Sequence, residues 1–252
     1  MDVITTARLI DDAHLDRSVL SAAVVEVGGL ERAYAVQRAL TALRLGRGGH
    51  QVGWKLGYTS EVMRRQMGIE TPNYGPLLST MVVDHGGSLP GATQPRVEPE
   101  IALVLARVPH DWTDMAEVLD CCASAHAALE IVDSVWADYV FDLEHNTADG
   151  SSAAGVVLGA ELPTKVLAEI TVSLSRDGAD VGRGRGSDAG GHPALGLAWL
   201  AHALSGHDRG LLPGDIVITG GLTAAVPLNP GGRVTAAFEH ASIDPVQVEV
   251  TA

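Results

Sequence analysis

The chain has 252 residues, 46% of them hydrophobic, and a formal net charge of −14. The hydrophobic content is high enough to build a substantial core, which excludes an intrinsically disordered protein. The acidic balance argues against nucleic acid and against an anionic membrane surface as partners, because both require basic patches. A small anionic substrate is compatible with this charge, since it needs only a local metal ion or lysine.

The cysteines and the N-terminus predict a reducing, cytoplasmic location. Cys121 and Cys122 are adjacent and are the two cysteines of the chain, so no disulfide framework is expected. The first residues lack the basic and apolar regions of a signal peptide, and no apolar run reaches transmembrane length.

Helices are predicted in the first part of the chain. Asp11 and Asp12 are predicted to open one helix, and a second is predicted from Leu30 to Leu45, where apolar residues recur at helical spacing. Most of the elements predicted after residue 50 are strands. We therefore predict an α+β, mostly β fold in which residues 1–50 are a helical N-terminal part of the same domain and residues 51–252 are β-rich.

The predicted strands cover residues 51–58, 77–83, 96–106, 127–134, 156–158, 170–176, 214–220, 226–228, 233–238 and 246–250. Helices are predicted over residues 62–67, 113–126 and 194–204, and a loop over residues 72–76. The glycine-rich stretch 182–186 is not a dinucleotide fingerprint, because its spacing is G-x-G-x-G and no βαβ unit surrounds it.

Two glutamates stand at the start of an apolar strand. Glu98 and Glu100 are two residues apart, so in an extended strand their side chains project from the same face. Paired carboxylates repel each other unless a cation or a shared proton lies between them. The pair is either half of a divalent-metal site or an exposed, acidic strand end. On spacing alone the second interpretation is favoured, because Glu-x-Glu is common.

Two further charged residues lie inside predicted strands. Glu130 is flanked by Leu129 and Ile131, and burying an unpaired carboxylate is costly, so a metal shared with the first two glutamates would explain its position. Lys55 lies between Trp54 and Leu56. It either extends to solvent or serves as an acid/base or substrate-binding lysine, and the sequence does not separate these alternatives.

Several stretches together resemble one family, the hydratase/decarboxylase branch of the fumarylacetoacetate hydrolase superfamily. Its members include 2-keto-4-pentenoate hydratases and 4-oxalocrotonate decarboxylases, which act in the meta-cleavage degradation of aromatic compounds. The stretches are GWKLGYTS at 53–60, PNYG at 72–75, PRVEPEIALVL at 95–105, ALEIVDS at 128–134, TADGSS at 147–152, GRGS at 184–187 with GHP at 191–193, and PGDIVITG at 213–220.

The resemblance implies a mixed β-sandwich roll, a bound Mg²⁺ or Mn²⁺ and a homo-oligomer, with residues 51–252 as the metal-binding catalytic part. It implies that Glu98, Glu100 and Glu130 bind the metal and that Lys55 is catalytic. Residues that would contact the substrate by the same resemblance are Tyr74, Asp133, Ser151, Ser152 and Thr223.

The implied activity is that of a metal-dependent lyase for unsaturated 2-oxo or 2-hydroxy acids. Hydratases of this branch usually read P-D-F-G where this chain has Asn73 and Tyr74, and the turn 220–226 is closer to the decarboxylases. The loop 146–152 is one residue shorter than is usual in the family. We therefore expect a 4-oxalocrotonate decarboxylase, with a 2-keto-4-pentenoate hydratase as the alternative. A C–C hydrolase, an oxaloacetate decarboxylase and an inactive fold relative are further alternatives, and association with a sister hydratase is an additional expectation.

Overall fold

The computed structural model of the chain describes residues 1–61, 64–65, 68–89 and 91–252. The helix predicted over residues 62–67 therefore falls mostly outside the described residues. Helices with defined bounds are α1 (Val3–Leu15), α2 (Leu30–Gly46), α3 (Met115–Asp120), α4 (Leu143–Ala148) and α5 (Pro193–Ala203). Among the described residues, no helix is both long enough and apolar enough to cross a membrane.

The strands are β1 (Gln51–Gly57), β2 (Asn73–Leu78), β3 (Val82–Val83), β4 (Arg96–Leu105), β5 (Cys122–Val132), β6 (Ala153–Leu162), β7 (Thr171–Arg176), β8 (Ala179–Arg185), β9 (Ile216–Ile218), β10 (Val226–Pro227), β11 (Arg233–Glu239) and β12 (Val246–Thr251). The larger sheet has the order β2-β1-β9-β4-β5-β6-β3, and β10 also pairs with β4. The second sheet has the order β12-β11-β7-β8.

The main core lies between the two sheets. Leu103 and Leu129 of the larger sheet belong to the same buried cluster as Leu174, Phe238 and Val250 of the second sheet. Apolar side chains from facing sheets pack in this way in a β-sandwich. The predicted fold class, an α+β and mostly β sandwich with helices at the N-terminus, is confirmed.

Strand alternation separates the charged side chains from this core. Ile101 and Leu103 of β4 lie in the sandwich core, so Glu98 and Glu100 project from the opposite face of the sheet. On β1, Trp54 and Leu56 also lie in the core, and Lys55 between them projects to the same side as the glutamates. The fold therefore collects these charges on one face of the larger sheet.

The N-terminal helices pack around Trp136. Its side chain is fully buried in a second apolar cluster with residues of α1 and α2, among them Ile10 and Leu40. The indole nitrogen of Trp136 donates a hydrogen bond to the carbonyl oxygen of His145, 2.8 Å away. Residues 1–50 therefore share a core with the chain that follows β5, which is the arrangement expected of a single domain.

Three local predictions were wrong. Helix α1 begins at Val3 rather than at Asp11, because the Asp2 carboxylate caps its N-terminus by accepting a hydrogen bond from the Thr5 amide. The helix predicted over residues 113–126 ends at Asp120, since the chain from Cys122 onwards pairs with β4 and β6. Residues 73–76 of the predicted loop belong to β2, which is held by its pairing with β1.

Replacing Trp136 tests whether the chain unfolds as one unit. Trp136→Ala removes a fully buried side chain and leaves a cavity, so the free energy of unfolding should fall by about 3–5 kcal/mol. Urea denaturation followed by circular dichroism measures this, and one cooperative transition is expected. The exposed Leu195→Ala is the control and should change stability by less than about 0.5 kcal/mol. Two separate transitions would contradict the prediction that residues 1–50 are part of the same domain.

Candidate functional site

Three glutamates from two paired strands form a compact acidic cluster. Glu98 on β4 lies directly opposite Glu130 on β5, and Glu100 follows two residues along β4. Carboxylate oxygens of the three lie within 4.8 Å of one another. Glu100 and Glu130 are almost completely buried, at 0% and 1% exposure. Like charges opposite each other on neighbouring strands are destabilising, so this cluster requires a nearby positive charge.

Lys55 supplies part of that charge. Its Nζ lies 3.1 Å from Oε1 of Glu130, and it donates hydrogen bonds to the carbonyl oxygen and to Oγ of Ser151 at 3.0 and 3.2 Å. Burial by itself would lower the pKa of Lys55, but the nearby glutamates, Glu130 first, raise it above its usual value. Lys55 is therefore a buried ammonium group that points into the protein instead of extending to solvent.

One ammonium group does not neutralise three carboxylates. Burial, followed by the charge of Glu130, raises the pKa of Glu98 to about 7. Burial, the charge of Glu130 and the charge of Glu98 together raise the pKa of Glu100 well above its usual value. The amide of Gly220 donates a hydrogen bond of 2.7 Å to Oε2 of Glu100. The cluster therefore retains protons unless a further cation is bound.

The donor atoms fit a divalent cation. Within the described part of the chain, Oε1 of Glu100 is buried and accepts no hydrogen bond, while Oε1 of Glu130 has the Lys55 ammonium group as its partner at 3.1 Å. Buried polar atoms are normally hydrogen-bonded, so the free oxygen of Glu100 indicates a partner of another kind. Hard carboxylate oxygens are the ligands that Mg²⁺, Mn²⁺ and Ca²⁺ prefer in proteins.

The chain around Ser151 adopts an uncommon backbone conformation. Gly150, Ser151 and Ser152 have φ values of 68°, 57° and 57°, in the left-handed region that costs a non-glycine residue roughly 1–3 kcal/mol. Side-chain hydrogen bonds hold the turn, because Oγ of Ser151 donates to Asn73 and Nδ2 of Asn146 donates to Ser152. This conformation places both the carbonyl oxygen and the hydroxyl group of Ser151 next to Lys55.

Asn73 uses both ends of its amide in this network. Its Nδ2 donates to Oδ1 of Asn146 at 2.9 Å and to Oγ1 of Thr147 at 3.0 Å, while its Oδ1 accepts from Ser151 at 3.0 Å. A side chain on Gly57 would clash here, because a Cβ atom at that position would lie 2.2 Å from Oδ1 of Asn73. Asn73 therefore acts as a fixed hydrogen-bonding bridge, and its amide does not ionise near neutral pH.

A cavity of about 360 Å³ opens beside the acidic cluster. Its lining includes Lys55, Glu98, Ser151 and Ser152, which are four of the residues predicted to form the site. Glu100 and Glu130 complete the cluster beside Glu98. The structure thus brings together the predicted metal ligands, the predicted catalytic lysine and two predicted substrate contacts.

The other three predicted substrate contacts are not among the residues lining this cavity. The ring of Tyr74 stacks on Tyr34, with centroids 4.5 Å apart, and lines a different cavity of about 550 Å³. Both carboxylate oxygens of Asp133 accept backbone hydrogen bonds, from Thr93 and Gln94. The hydroxyl group of Thr223 donates to the neighbouring carbonyl oxygen of Ala224. Side chains alternate between the two faces of the sheet along β2, and Tyr74 lies on the face opposite to that of Lys55.

Arg96 and Tyr139 are among the cavity residues that the sequence reasoning missed. The guanidinium group of Arg96 lies 3.8 Å above the centre of the Tyr139 ring, and both residues line the cavity. The hydroxyl group of Tyr139 lies 3.0 Å from the carbonyl oxygens of both Gln94 and Val132 and shares its one proton between them. Strand alternation could have identified Arg96, because it precedes Glu98 by two residues. No sequence signal identified Tyr139, which ends a short 3₁₀ helix, Ala137–Tyr139, after β5.

The sequence was compared with known protein families. The profile described as "Fumarylacetoacetate (FAA) hydrolase C-terminal" matches residues 60–249, about three quarters of the chain. The chain belongs to the fumarylacetoacetate hydrolase family. The resemblance drawn from the sequence motifs is thereby confirmed.

Two relatives of similar identity within this family carry different activity names. A 2-keto-4-pentenoate hydratase of Paraburkholderia phymatum is 35% identical over 218 residues, which cover 84% of this chain and 83% of the relative. A 4-oxalocrotonate decarboxylase of a Pseudomonas species is 35% identical over 205 residues, 80% of each chain. Both names denote lyases, so the comparison supports the two activities equally.

Among solved structures, the 4-oxalocrotonate decarboxylase from Pseudomonas putida G7 superimposes with a TM-score of 0.89 at 28% identity. The match covers 99% of this chain and 96% of that enzyme. That structure is complexed with magnesium and adipate, and a second structure of the same enzyme is complexed with calcium and acetate.

The raised pKa of Glu98 predicts how the stability of the metal-free protein depends on pH. Its pKa rises from an ordinary value of 4.5 to about 7 on folding, so between these values the folded state binds more protons than the unfolded state. The contribution of Glu98 to the free energy of unfolding should therefore fall as the pH rises through this window, and Glu100, whose pKa burial also raises, should add a fall of the same sign. Urea denaturation in the presence of a chelator measures the slope. Glu98→Gln should make the slope shallower, and an unchanged slope would contradict the assignment.

Proposed function

We propose that this chain is a divalent-metal-dependent lyase that acts on unsaturated 2-oxo acids, with decarboxylation of 4-oxalocrotonate as its reaction. The observation that carries the proposal is the cluster of Glu98, Glu100 and Glu130 beside a buried, charged Lys55 at the edge of a cavity. The 4-oxalocrotonate decarboxylases among its relatives, one of them complexed with magnesium and adipate, support it further.

Glu98, Glu100 and Glu130 would hold the cation, Mg²⁺ or Mn²⁺, through their carboxylate oxygens. When bound, the ion supplies a Lewis acid for the C2 carbonyl group, toward which the electron pair of the breaking C5–C6 bond moves as CO₂ leaves. The glutamates would bind it in their deprotonated form, so metal affinity should fall as the pH falls through the range in which they titrate.

Lys55 would hold the proton used in the reaction. Its ammonium group donates to Ser151 and contacts Glu130, which fixes the position of Nζ at the wall of the cavity. From there it would bind a substrate oxygen or deliver the proton that the C2 oxygen takes up as the dienol product forms. Ser151 and Ser152 would orient the substrate, since both side chains line the cavity and belong to a turn that hydrogen bonds hold rigidly.

Asn73 favours decarboxylation over hydration. A hydratase must deliver water and a proton to the carbon chain, and the family position that is aspartate in many hydratases is here a fully hydrogen-bonded amide. Hydration of 2-keto-4-pentenoate is the second candidate function. It is supported by the Paraburkholderia phymatum hydratase, to which the chain is as similar as it is to the decarboxylase. Homo-oligomerisation, association with a sister hydratase and a cytoplasmic location are part of the proposal.

Direct turnover separates the two reactions. The purified protein with Mg²⁺ or Mn²⁺ is offered 4-oxalocrotonate and 2-hydroxypenta-2,4-dienoate separately, and ultraviolet absorbance and CO₂ release are followed. The proposal expects CO₂ from the first compound and no consumption of the second. Consumption of the second compound alone would establish the hydratase. Turnover of neither by the metal-loaded protein would exclude both lyase reactions.

Two substitutions separate metal binding from catalysis. Glu98→Gln should weaken Mn²⁺ binding at least about tenfold, as measured by calorimetry, and should spare the ion pair between Lys55 and Glu130. Lys55→Met should abolish turnover and retain bound metal, because the carboxylates remain. Since it leaves Glu130 without its partner, the metal-free variant should also lose about 3–5 kcal/mol of stability.

The chain provides matched controls for both substitutions. Lys165, the one other lysine of the sequence, and Glu161 on β6 are exposed, so Lys165→Met and Glu161→Gln should change neither metal binding nor turnover. Full metal affinity in Glu98→Gln would remove Glu98 from the ligand set. Unchanged turnover in Lys55→Met would remove its catalytic role.

A further inference from the structure

The guanidinium group of Arg96 lies at the cavity wall beside the acidic cluster. Arg96 and Glu98 are separated by one residue on β4, so both side chains emerge from the same face of the sheet, and both line the cavity. Their α-carbons are about 6.5 Å apart along a strand that rises about 3.3 Å per residue.

Arg96 is held in place without using its hydrogen-bond donors. Its Cζ atom lies over the ring of Tyr139, 3.8 Å from the ring centroid, and the hydroxyl group of that ring lies 3.0 Å from the carbonyl oxygens of Gln94 and Val132. With respect to the described residues, Arg96 forms no ion pair and donates no side-chain hydrogen bond. A guanidinium group that stacks through its face keeps its edge free for a planar anion.

The other charged side chains around the cavity already have interaction partners. Lys55 contacts Glu130 and donates to Ser151, while Glu98 belongs to the acidic cluster. The remaining ionisable side chains on the described cavity wall are the phenols of Tyr58 and Tyr139, which are neutral because burial raises their pKa values. Arg96 is therefore the cation of the described wall that forms no close ion pair, although its positive charge partly opposes the rise in the pKa of Glu98 that burial causes.

We infer that Arg96 is a specificity-determining residue that binds the distal carboxylate of a dicarboxylic 2-oxo acid. Guanidinium and carboxylate groups pair through two parallel hydrogen bonds, which recognise both charge and shape. The inference rests on the proposed function in one respect, that the 2-oxo end of the ligand lies at the glutamate cluster. A monocarboxylic 2-oxo acid bound in this way would leave Arg96 without an anion and would bind more weakly.

The inference also predicts how Arg96 affects turnover. The distal carboxylate leaves as neutral CO₂, so its ion pair with Arg96 is stronger in the bound substrate than in the transition state. Loss of Arg96 should therefore raise KM for 4-oxalocrotonate and should not lower kcat. The product lacks the distal carboxylate, so it loses this contact and can dissociate.

Binding of two matched ligands tests the inference directly. Calorimetry of the Mn²⁺-loaded protein is carried out with 2-oxohexanedioate and with 2-oxohexanoate, which differ in the distal carboxylate. The wild type should bind the diacid about tenfold to a hundredfold more tightly, as expected of a charged hydrogen-bonded pair. Arg96→Gln should lose this preference and keep the affinity for 2-oxohexanoate. Arg183→Gln, which changes an exposed arginine of β8, is the control.

Each contrary result has a definite meaning. Equal affinity of the wild type for the two ligands would overturn the inference without any variant. Equal weakening of both ligands by Arg96→Gln would also overturn it, because Arg96 would then contact the shared end of the ligand. Arg96→Lys keeps the charge and loses the planar fork, so it should retain part of the preference for the diacid. It serves as the test variant if Arg96→Gln does not fold. A diacid preference that depends on Arg96, in a protein that turns over neither substrate, would support the inference and contradict the proposed function.

Discussion

Repulsion among three buried carboxylates is the constraint on which the site depends. Glu98 and Glu130 face each other across the pairing of β4 with β5, and Glu100 adds a third negative charge within 4.8 Å. A purely structural sheet would place apolar residues there. The cluster persists because Lys55 contributes one ammonium group and because the glutamates can hold protons or a divalent cation in addition.

The surrounding structure serves mainly to hold Lys55 and its partners. The sandwich core takes the apolar side chains on either side of Lys55, which leaves that residue to project from the other face of the sheet. The turn at Ser151 supplies two oxygen atoms to Nζ, and the hydrogen bonds of Asn73 and Asn146 offset the backbone strain of that turn. Both the core packing and the hydrogen-bonded turn are needed, because a buried ammonium group without such partners would release its proton.

The two activities named among the relatives share the chemistry of this cluster. Both need a metal ion that activates a 2-oxo acid and a group that handles a proton, so the glutamates and Lys55 do not distinguish them. The distinction is expected to come from residues outside this cluster. In this chain the candidates are the buried amide of Asn73, which accepts a hydrogen bond from Ser151, and the guanidinium group of Arg96 on the cavity wall.

The sequence alone determined the family, the mixed β-sandwich with its N-terminal helices, and the set of charged residues that forms the cluster. The family and its fold follow from the resemblance of several motifs, whereas strand alternation by itself placed Glu98 and Glu100 on one face and left open whether they bind a metal. The bounds of the short elements were less predictable, since the pairing of Cys122 with β4 and of Asn73 with β1 involves residues distant in sequence.

Only the tertiary structure decided which residues share the cavity. Tyr74, Asp133 and Thr223 lie in motifs shared with the family, yet the face of the strand or the local hydrogen bonds turn them elsewhere. Arg96 and Tyr139 meet through the folding of separate segments, and no motif links them. The opposition of Glu98 and Glu130 depends on strand register, which is set by packing across the whole sheet. The sequence therefore supplied the charged groups, and the register and packing of distant strands decided which of them meet.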